Sequence, residues 1–224
     1  MGLSIIGTVA FDDIKTPFGE KKDILGGSAT HASMAARCFG PVSIISVVGD
    51  DFPEGIISDF KHRDIDTSGL LRLPGAKTFR WSGYYEYDMN QAHTLDTQLN
   101  VLQTFNAEVP KPQRSHEFVF LANLDPDLQW KLLGQFTDPK FVAMDTMNFW
   151  ITSKPDAIKR LLKRVNLLIV NDAEARQLTG QPNLVKAARQ LLTCGPQWVL
   201  VKRGEHGATL YSDSAYFSVP AYPL

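Results

Sequence analysis

Four groups of residues have the types and spacing of chemistry on a small molecule. The first is Leu25-Gly26-Gly27-Ser28-Ala29-Thr30-His31, where adjacent glycines precede an Ala-rich stretch. Glycine permits backbone conformations that a side chain forbids and lets a ligand approach the chain closely. With Ser28 as its cap, the following helix would turn free N–H groups and its positive dipole end toward the glycines, a surface suited to hydroxyl and anionic groups. The same residues also read as a close-packed helix after an ordinary turn. The second group is Asn171-Asp172-Ala173-Glu174, directly after the apolar run Leu167-Leu168-Ile169-Val170. Locally it is a capping box; at the carboxyl end of a buried strand its polar atoms also lie where α/β sheets bind ligands. The third is Lys202-Arg203-Gly204-Glu205-His206-Gly207, a glycine-punctuated turn whose N–H groups could face an anion beside Lys202, and which is equally a plain hairpin. The fourth is Asp12, beside Asp13, where acidic groups emerge from the apolar run Leu3–Phe11, either to accept hydroxyls or to form a turn. Asn90, and Asp145 with Asn148, are further substrate-side candidates that loop polarity explains as well.

These residues need a scaffold that brings strand ends together. Leu3 to Phe11 reads as one buried strand, Ile14 to Leu25 as an exposed hairpin, and Val42 to Val48 as a β-branched strand after a helix closed by Gly40. Asp51 with Glu54 three residues on is a capping-box-like start for a helix to His62. Strand patterns without a helix between them make 67–105 an insertion. Within it Phe79, Trp81, Tyr85, Tyr87 and Met89 alternate with polar residues, giving one aromatic face. Such a face covers a ligand site or another subunit, unless it is a core-facing strand of the main sheet. After Pro112 strands and helices alternate again: Phe118 to Ala122, Asp127 to Gln135, Phe141 to Met144, a helix after Pro155, Leu167 to Val170, helices from Asn171 and Asn183, Trp198 to Val201, then Gly207 to Tyr211 pairing with the residues after it. This order implies a doubly wound, mostly parallel sheet with helices on both faces. The small lid sheet is expected from segments at about 12–25 and 67–105, and all of 1–224 is expected to form one α/β domain.

The glycine pair, the Asn171-x-x-Glu174 motif and the Gly204-x-x-Gly207 turn together resemble the PfkB, or ribokinase-like, family of sugar and nucleoside kinases, over essentially the whole chain. His31 stands where the first family signature usually carries Asn. The resemblance implies a ribokinase-like fold and transfer of the γ-phosphate of ATP, assisted by Mg2+, to an alcohol of a small polyhydroxylated molecule. It implies that Asp12, Gly26, Gly27, His31 and Asn90 hold the acceptor. Asn171, Glu174, Lys202, Gly204 and Gly207 would serve ATP, with Glu174 reaching the magnesium through water, as suits an ion that keeps its waters. The family's Gly-Ala-Gly-Asp segment, with its anion hole and base, would follow a strand like Tyr216–Val219, and no residue up to Leu224 has that context. The expectation is therefore slow or absent transfer by this chain alone. The rival class is a non-catalytic ligand-binding or regulatory protein derived from a sugar kinase.

Composition narrows the partners. The chain has 224 residues, 44% of them hydrophobic and 21% charged, and a formal net charge of −1, which offers no electrostatic reason to bind nucleic acid or a membrane surface. Cys38 and Cys194 have no metal or redox spacing. The stretch Met1–Gly7 lacks the basic region and length of a signal peptide, and no apolar run approaches a membrane span, so a cytoplasmic location is expected. No Walker A, G-x-S-x-G or zinc spacing occurs, and the absence of the dinucleotide fingerprint G-x-G-x-x-G disfavours an NAD-dependent enzyme. The expected partner is a small sugar or nucleoside, with a homodimer through the lid as the alternative use of the aromatic face.

Overall fold

A computed structural model describes residues 2–106 and 108–222. The chain packs as two units, Met1–Ala122 with Leu132–Pro139, and Asn123–Lys131 with Lys140–Leu224. The first contains β1 (Leu3–Ile6), β2 (Ala10–Thr16), β3 (Gly19–Gly26), α1 (Ser28–Ala36), β4 (Val42–Gly49), α2 (Glu54–His62), β5 (Ile65–Leu73), β6 (Phe79–Tyr85), β7 (Ala92–Gln98) and β8 (Phe118–Leu121). Its main-sheet strands run β8-β1-β4-β5, all parallel. Every residue of β4 is buried, and its Val/Ile-rich run, interrupted only by Ser43 and Ser46 before Gly49, suits a strand covered on both faces. Its side chains join Ile5, Ala29, Phe52, Phe60 and Ile65 in one apolar cluster, with the Phe11 and Phe52 rings 5.5 Å apart.

The small sheet is separate, in the order β3-β2-β6-β7, with β2 and β6 parallel and the outer pairs antiparallel. Three expectations change here. Leu3–Phe11 is two strands in two sheets, because the chain leaves β1 at Gly7, where a Cβ would press on the Ser28 hydroxyl and on Ala122. The second lid segment begins at Phe79 and not at 67, since Ile65–Leu73 pairs parallel to β4 as an edge strand of the main sheet. The aromatic face ends at Tyr85: Tyr87 lies in a turn that Met89 completes with φ 56°, and its exposed ring packs on Phe18 instead.

Asp51 does not cap α2, whose N-cap is Pro53 without a side-chain bond. Its carboxylate accepts from the Thr78 N–H and hydroxyl, both at 2.7 Å, and from Arg80. Partial burial opposes ionisation, but those bonds hold Asp51 below the usual carboxylate range. Arg80 also pairs with Asp23 of β3, tying the root of the lid to the end of β4.

The second unit contains most of α3 (Pro126–Leu133), and β9 (Phe141–Asp145), α4 (Asn148–Ser153), α5 (Pro155–Leu162), β10 (Leu167–Asn171), α6 (Asp172–Thr179), α7 (Leu184–Leu192), β11 (Trp198–Lys202), β12 (Ala208–Tyr211) and β13 (Tyr216–Val219). Its sheet order is β13-β12-β11-β10-β9; the last three strands are parallel and β11 to β13 form an antiparallel meander. Ile158, Leu161 and Leu162 of α5 and Ala187, Ala188 and Leu191 of α7 are buried at helical spacing. The fold class is the expected one, α/β with mostly parallel main strands flanked by helices and a second small sheet.

Candidate functional site

In the first unit the structure brings Asp12, Gly26, Gly27 and His31 together. Gly27 has φ 95° and is the N-cap of α1; a Cβ on it would run into the Thr8 carbonyl and sit 2.9 Å from the Ala10 nitrogen. Only glycine fits. The expected Ser28 cap is absent, because Thr8 takes that role from across the turn. The Ser28 N–H donates to the Thr8 hydroxyl at 3.0 Å, the Ala29 N–H donates to the Thr8 carbonyl at 2.9 Å, and the Thr8 N–H donates to the Ser28 hydroxyl at 3.2 Å. The helix start is therefore pinned to the β1–β2 connection, and its first two N–H groups are already engaged.

Asp12 lies within β2, and its carboxylate folds over Gly26 of β3, where a Cβ would collide with both oxygens and Cγ. Burial pushes this carboxyl up to about 6; the nearby His31 works against that push, and Asp13 adds to it slightly. Tyr85, at the end of β6, is also pushed up, first by burial and then by the charge of Asp12. A carboxyl so placed is a strong acceptor once ionised, surrounded by a histidine and a phenol that can share the same hydroxyl-bearing ligand. Asn90 is elsewhere, in the exposed β6–β7 turn, with its N–H donating to the Asp88 carboxylate.

In the second unit the strand ends converge as topology requires. Asn171 ends β10 and is the register partner of Lys202, which ends β11. The capping box is complete: the Asn171 side chain accepts from the Glu174 N–H at 2.8 Å, and Glu174 Oε2 accepts from the Asn171 N–H at 2.7 Å. Burial raises the Glu174 carboxyl, against the Asn171 N–H and Lys202. Asp145, read from the sequence as a substrate-side candidate, ends β9 and lies within electrostatic reach of Lys202 and Glu174. It keeps some accessible surface, yet the protein around it pushes its carboxyl up to about 7, with Lys202 opposing and Glu174 reinforcing. An acid at the carboxyl end of a parallel strand is the available signal; Asp12, read from the sequence as standing at such an exit, instead lies inside β2 of the small sheet.

Gly204 and Gly207 form a one-turn 3-10 element with φ 53° and 82°. A Cβ at Gly207 would strike the Val219 carbonyl, so the turn is pressed against the end of β13. The N–H groups of Arg203, His206 and Gly207 donate within the turn. Gly204 and Glu205 are then the donors that an anion would meet. Among the described residues no three His, Cys, Asp or Glu side chains converge as a metal cage. Two carboxyls beside a lysine, one with an oxygen committed to a helix cap, instead suit a divalent cation that keeps most of its waters and takes oxygen ligands.

The profile of the pfkB family of carbohydrate kinases matches residues 5–223. A cytidine kinase of Thermococcus kodakarensis is 28% identical, over all of this chain and 80% of its own length. Among solved structures, the nucleoside kinase of Burkholderia thailandensis in complex with inosine superposes with a TM-score of 0.77 at 16% identity, covering 98% of this chain and 76% of its own. A ribokinase II of E. coli in complex with ATP and Mg2+ gives 0.73 at 18%, covering 99% and 79%.

Proposed function

The chain belongs to the pfkB family of carbohydrate kinases, and from that premise we propose that it transfers the γ-phosphate of ATP to an alcohol of a sugar or nucleoside, with Asp12 as the group that grips the acceptor. The single observation that carries the assignment of the acceptor is the Asp12 carboxylate laid over Gly26 beside His31 and the Gly27 turn. Ionised, it accepts one or two hydroxyl hydrogens and fixes the sugar ring against a backbone that glycine leaves bare. Desolvation makes each such bond stronger than it would be in water. The cytidine kinase relative supports the acceptor class.

The nucleotide side is read from the second unit. Glu174 and Asp145 would hold a hydrated magnesium ion, which when bound to ATP offsets the charge of its phosphates. Lys202 meets the same phosphates with its ammonium group and offsets part of the repulsion between the two carboxyls. The Gly204 and Glu205 amides offer further donors to phosphate oxygens. Asn171 holds Glu174 at the sheet edge through the capping box, so its part is positioning. Phosphoryl transfer depends on placement and charge stabilisation, and this is what such residues supply.

The lid is also proposed as a subunit contact. Phe18 and Tyr87 are 73% and 79% exposed, and their rings pack 5.8 Å apart at its tip. Unpaired Cys38 and Cys194 suit a reducing compartment such as the cytoplasm, and among the described residues no helix is long and apolar enough to cross a membrane. The reading is tested by incubating the protein with Mg-ATP and a panel of sugars and nucleosides and identifying products by mass. A phosphate ester formed in step with ADP, however slowly, is expected. ADP release indifferent to every acceptor would overturn it.

A further inference from the structure

Resting on the acceptor-kinase reading above, we propose that Trp81 is the stacking platform for a planar base, so that the preferred acceptor is a nucleoside and not a bare sugar. Trp81 is the register partner of Asp12 across the parallel β2–β6 pair, and partners of this kind project from the same face, with strands about 4.8 Å apart. The next residue on that face of β6 is Gly83, which is buried. A Cβ there would collide with Cη2 and Cζ2 of Trp81, so the outer edge of the six-membered ring occupies the space that a side chain at residue 83 would take. The indole N–H donates to the Thr94 hydroxyl at 3.1 Å, and Thr94 is the β7 partner of Gly83. The ring is thus held along the sheet at both ends, with its one polar atom already engaged.

Asp12 repeats the device one strand away, its carboxylate lying over Gly26. Two glycines therefore clear room for two side chains of opposite chemistry, side by side on one face. The carboxylate accepts hydroxyl hydrogens; the indole has only its π-face left to offer. A tryptophan that merely filled a core would be enclosed by apolar side chains, yet Trp81 is outside the buried apolar cluster of this unit and keeps part of its surface. A ligand that answers both groups at once carries hydroxyls on one part and a flat aromatic surface on an adjoining part, which describes a nucleoside. A free sugar would satisfy Asp12 and leave the indole face wet. Base-on-aromatic stacking tolerates any base, so the platform selects for the presence of a base and not for its identity.

The test uses the full chain with Trp81→Leu and Trp81→Phe, titrated calorimetrically with cytidine, adenosine and D-ribose. The expected result is tight nucleoside binding to the wild type, a loss of about 10- to 100-fold in Trp81→Leu, and a loss under about threefold in Trp81→Phe, which keeps a ring. Ribose affinity should change less than twofold in both variants. Quenching of tryptophan emission by nucleoside should disappear in Trp81→Phe. Unchanged nucleoside affinity in Trp81→Leu would overturn the proposal, as would ribose binding the wild type as tightly as the nucleosides. Equal loss of ribose and nucleoside binding would also overturn it, showing a general role in the lid. Failure of the wild type to bind any of the three ligands would instead overturn the acceptor-kinase reading on which the proposal rests.

Discussion

Replacing Asp12 with Asn should make the protein more stable at neutral pH while costing it the acceptor. The carboxyl lies at about 6 in the folded chain against an ordinary 3.8, because burial disfavours its charge. A group with a folded value above its unfolded one binds more protons in the folded state, so its contribution to stability falls as pH rises through the window from about 4 to about 6. A gap of that size corresponds to about 3 kcal/mol of destabilisation once the group is fully ionised. Water reaching the half-buried side chain screens part of this and leaves about 1 to 2 kcal/mol. For a chain of this length that is a rise of about 3–6 °C in Tm for Asp12→Asn at pH 8, shrinking toward zero at pH 4. Thermal unfolding of both proteins across that range measures it. Losing a charged acceptor should at the same time weaken acceptor binding by about 10- to 100-fold at pH 8. Wild-type acceptor affinity should itself rise as pH climbs through about 6. A variant less stable than the wild type by the same amount at both pH values would show that the carboxylate is structurally satisfied, and the argument from desolvation would fail.

Other expectations rest on single contacts. Asn171→Ala removes the acceptor for the Glu174 N–H and should cost about 1 kcal/mol, read by urea unfolding, while weakening Mg-ATP binding through the displaced Glu174. Gly27→Ala forces a side chain onto φ 95° and into the Thr8 carbonyl; it should cost more than about 1 kcal/mol and lower acceptor affinity in the same titrations. Phe52→Ala, at 2% exposure and packed on Phe11, should cost about 3–5 kcal/mol by chemical denaturation.

How much could be read from the chain itself depends on the range of the interactions involved. The β4 run and the Asn171-x-x-Glu174 box are local patterns, and both form as their residues require. Asp51 shows where local reading stops: Glu54 three residues on suggested a cap, but the carboxylate binds Thr78, 27 positions away. Ser28 lost its capping role to Thr8 for the same reason. The uniform apolarity of Leu3–Phe11 hid a change of sheet, since burial in either sheet asks for the same residues. Conversely β5 was hidden because an edge strand alternates in exposure and so looks like the lid strands beside it in sequence. The convergence of Asp145, Glu174 and Lys202 is a product of strand order, which no spacing within the sequence encodes.

The central claim is a division of labour, with Asp12 serving the acceptor and Glu174 serving magnesium and ATP. It is tested most directly by titrating the wild type, Asp12→Asn and Glu174→Gln with acceptor and with Mg-ATP separately. Gln preserves the capping-box pattern at position 174 while removing the charge. The account predicts that Asp12→Asn loses acceptor affinity by at least about tenfold and keeps Mg-ATP, and that Glu174→Gln does the reverse. Equal loss of both ligands in either variant, or retention by each variant of the ligand assigned to its altered residue, would contradict it.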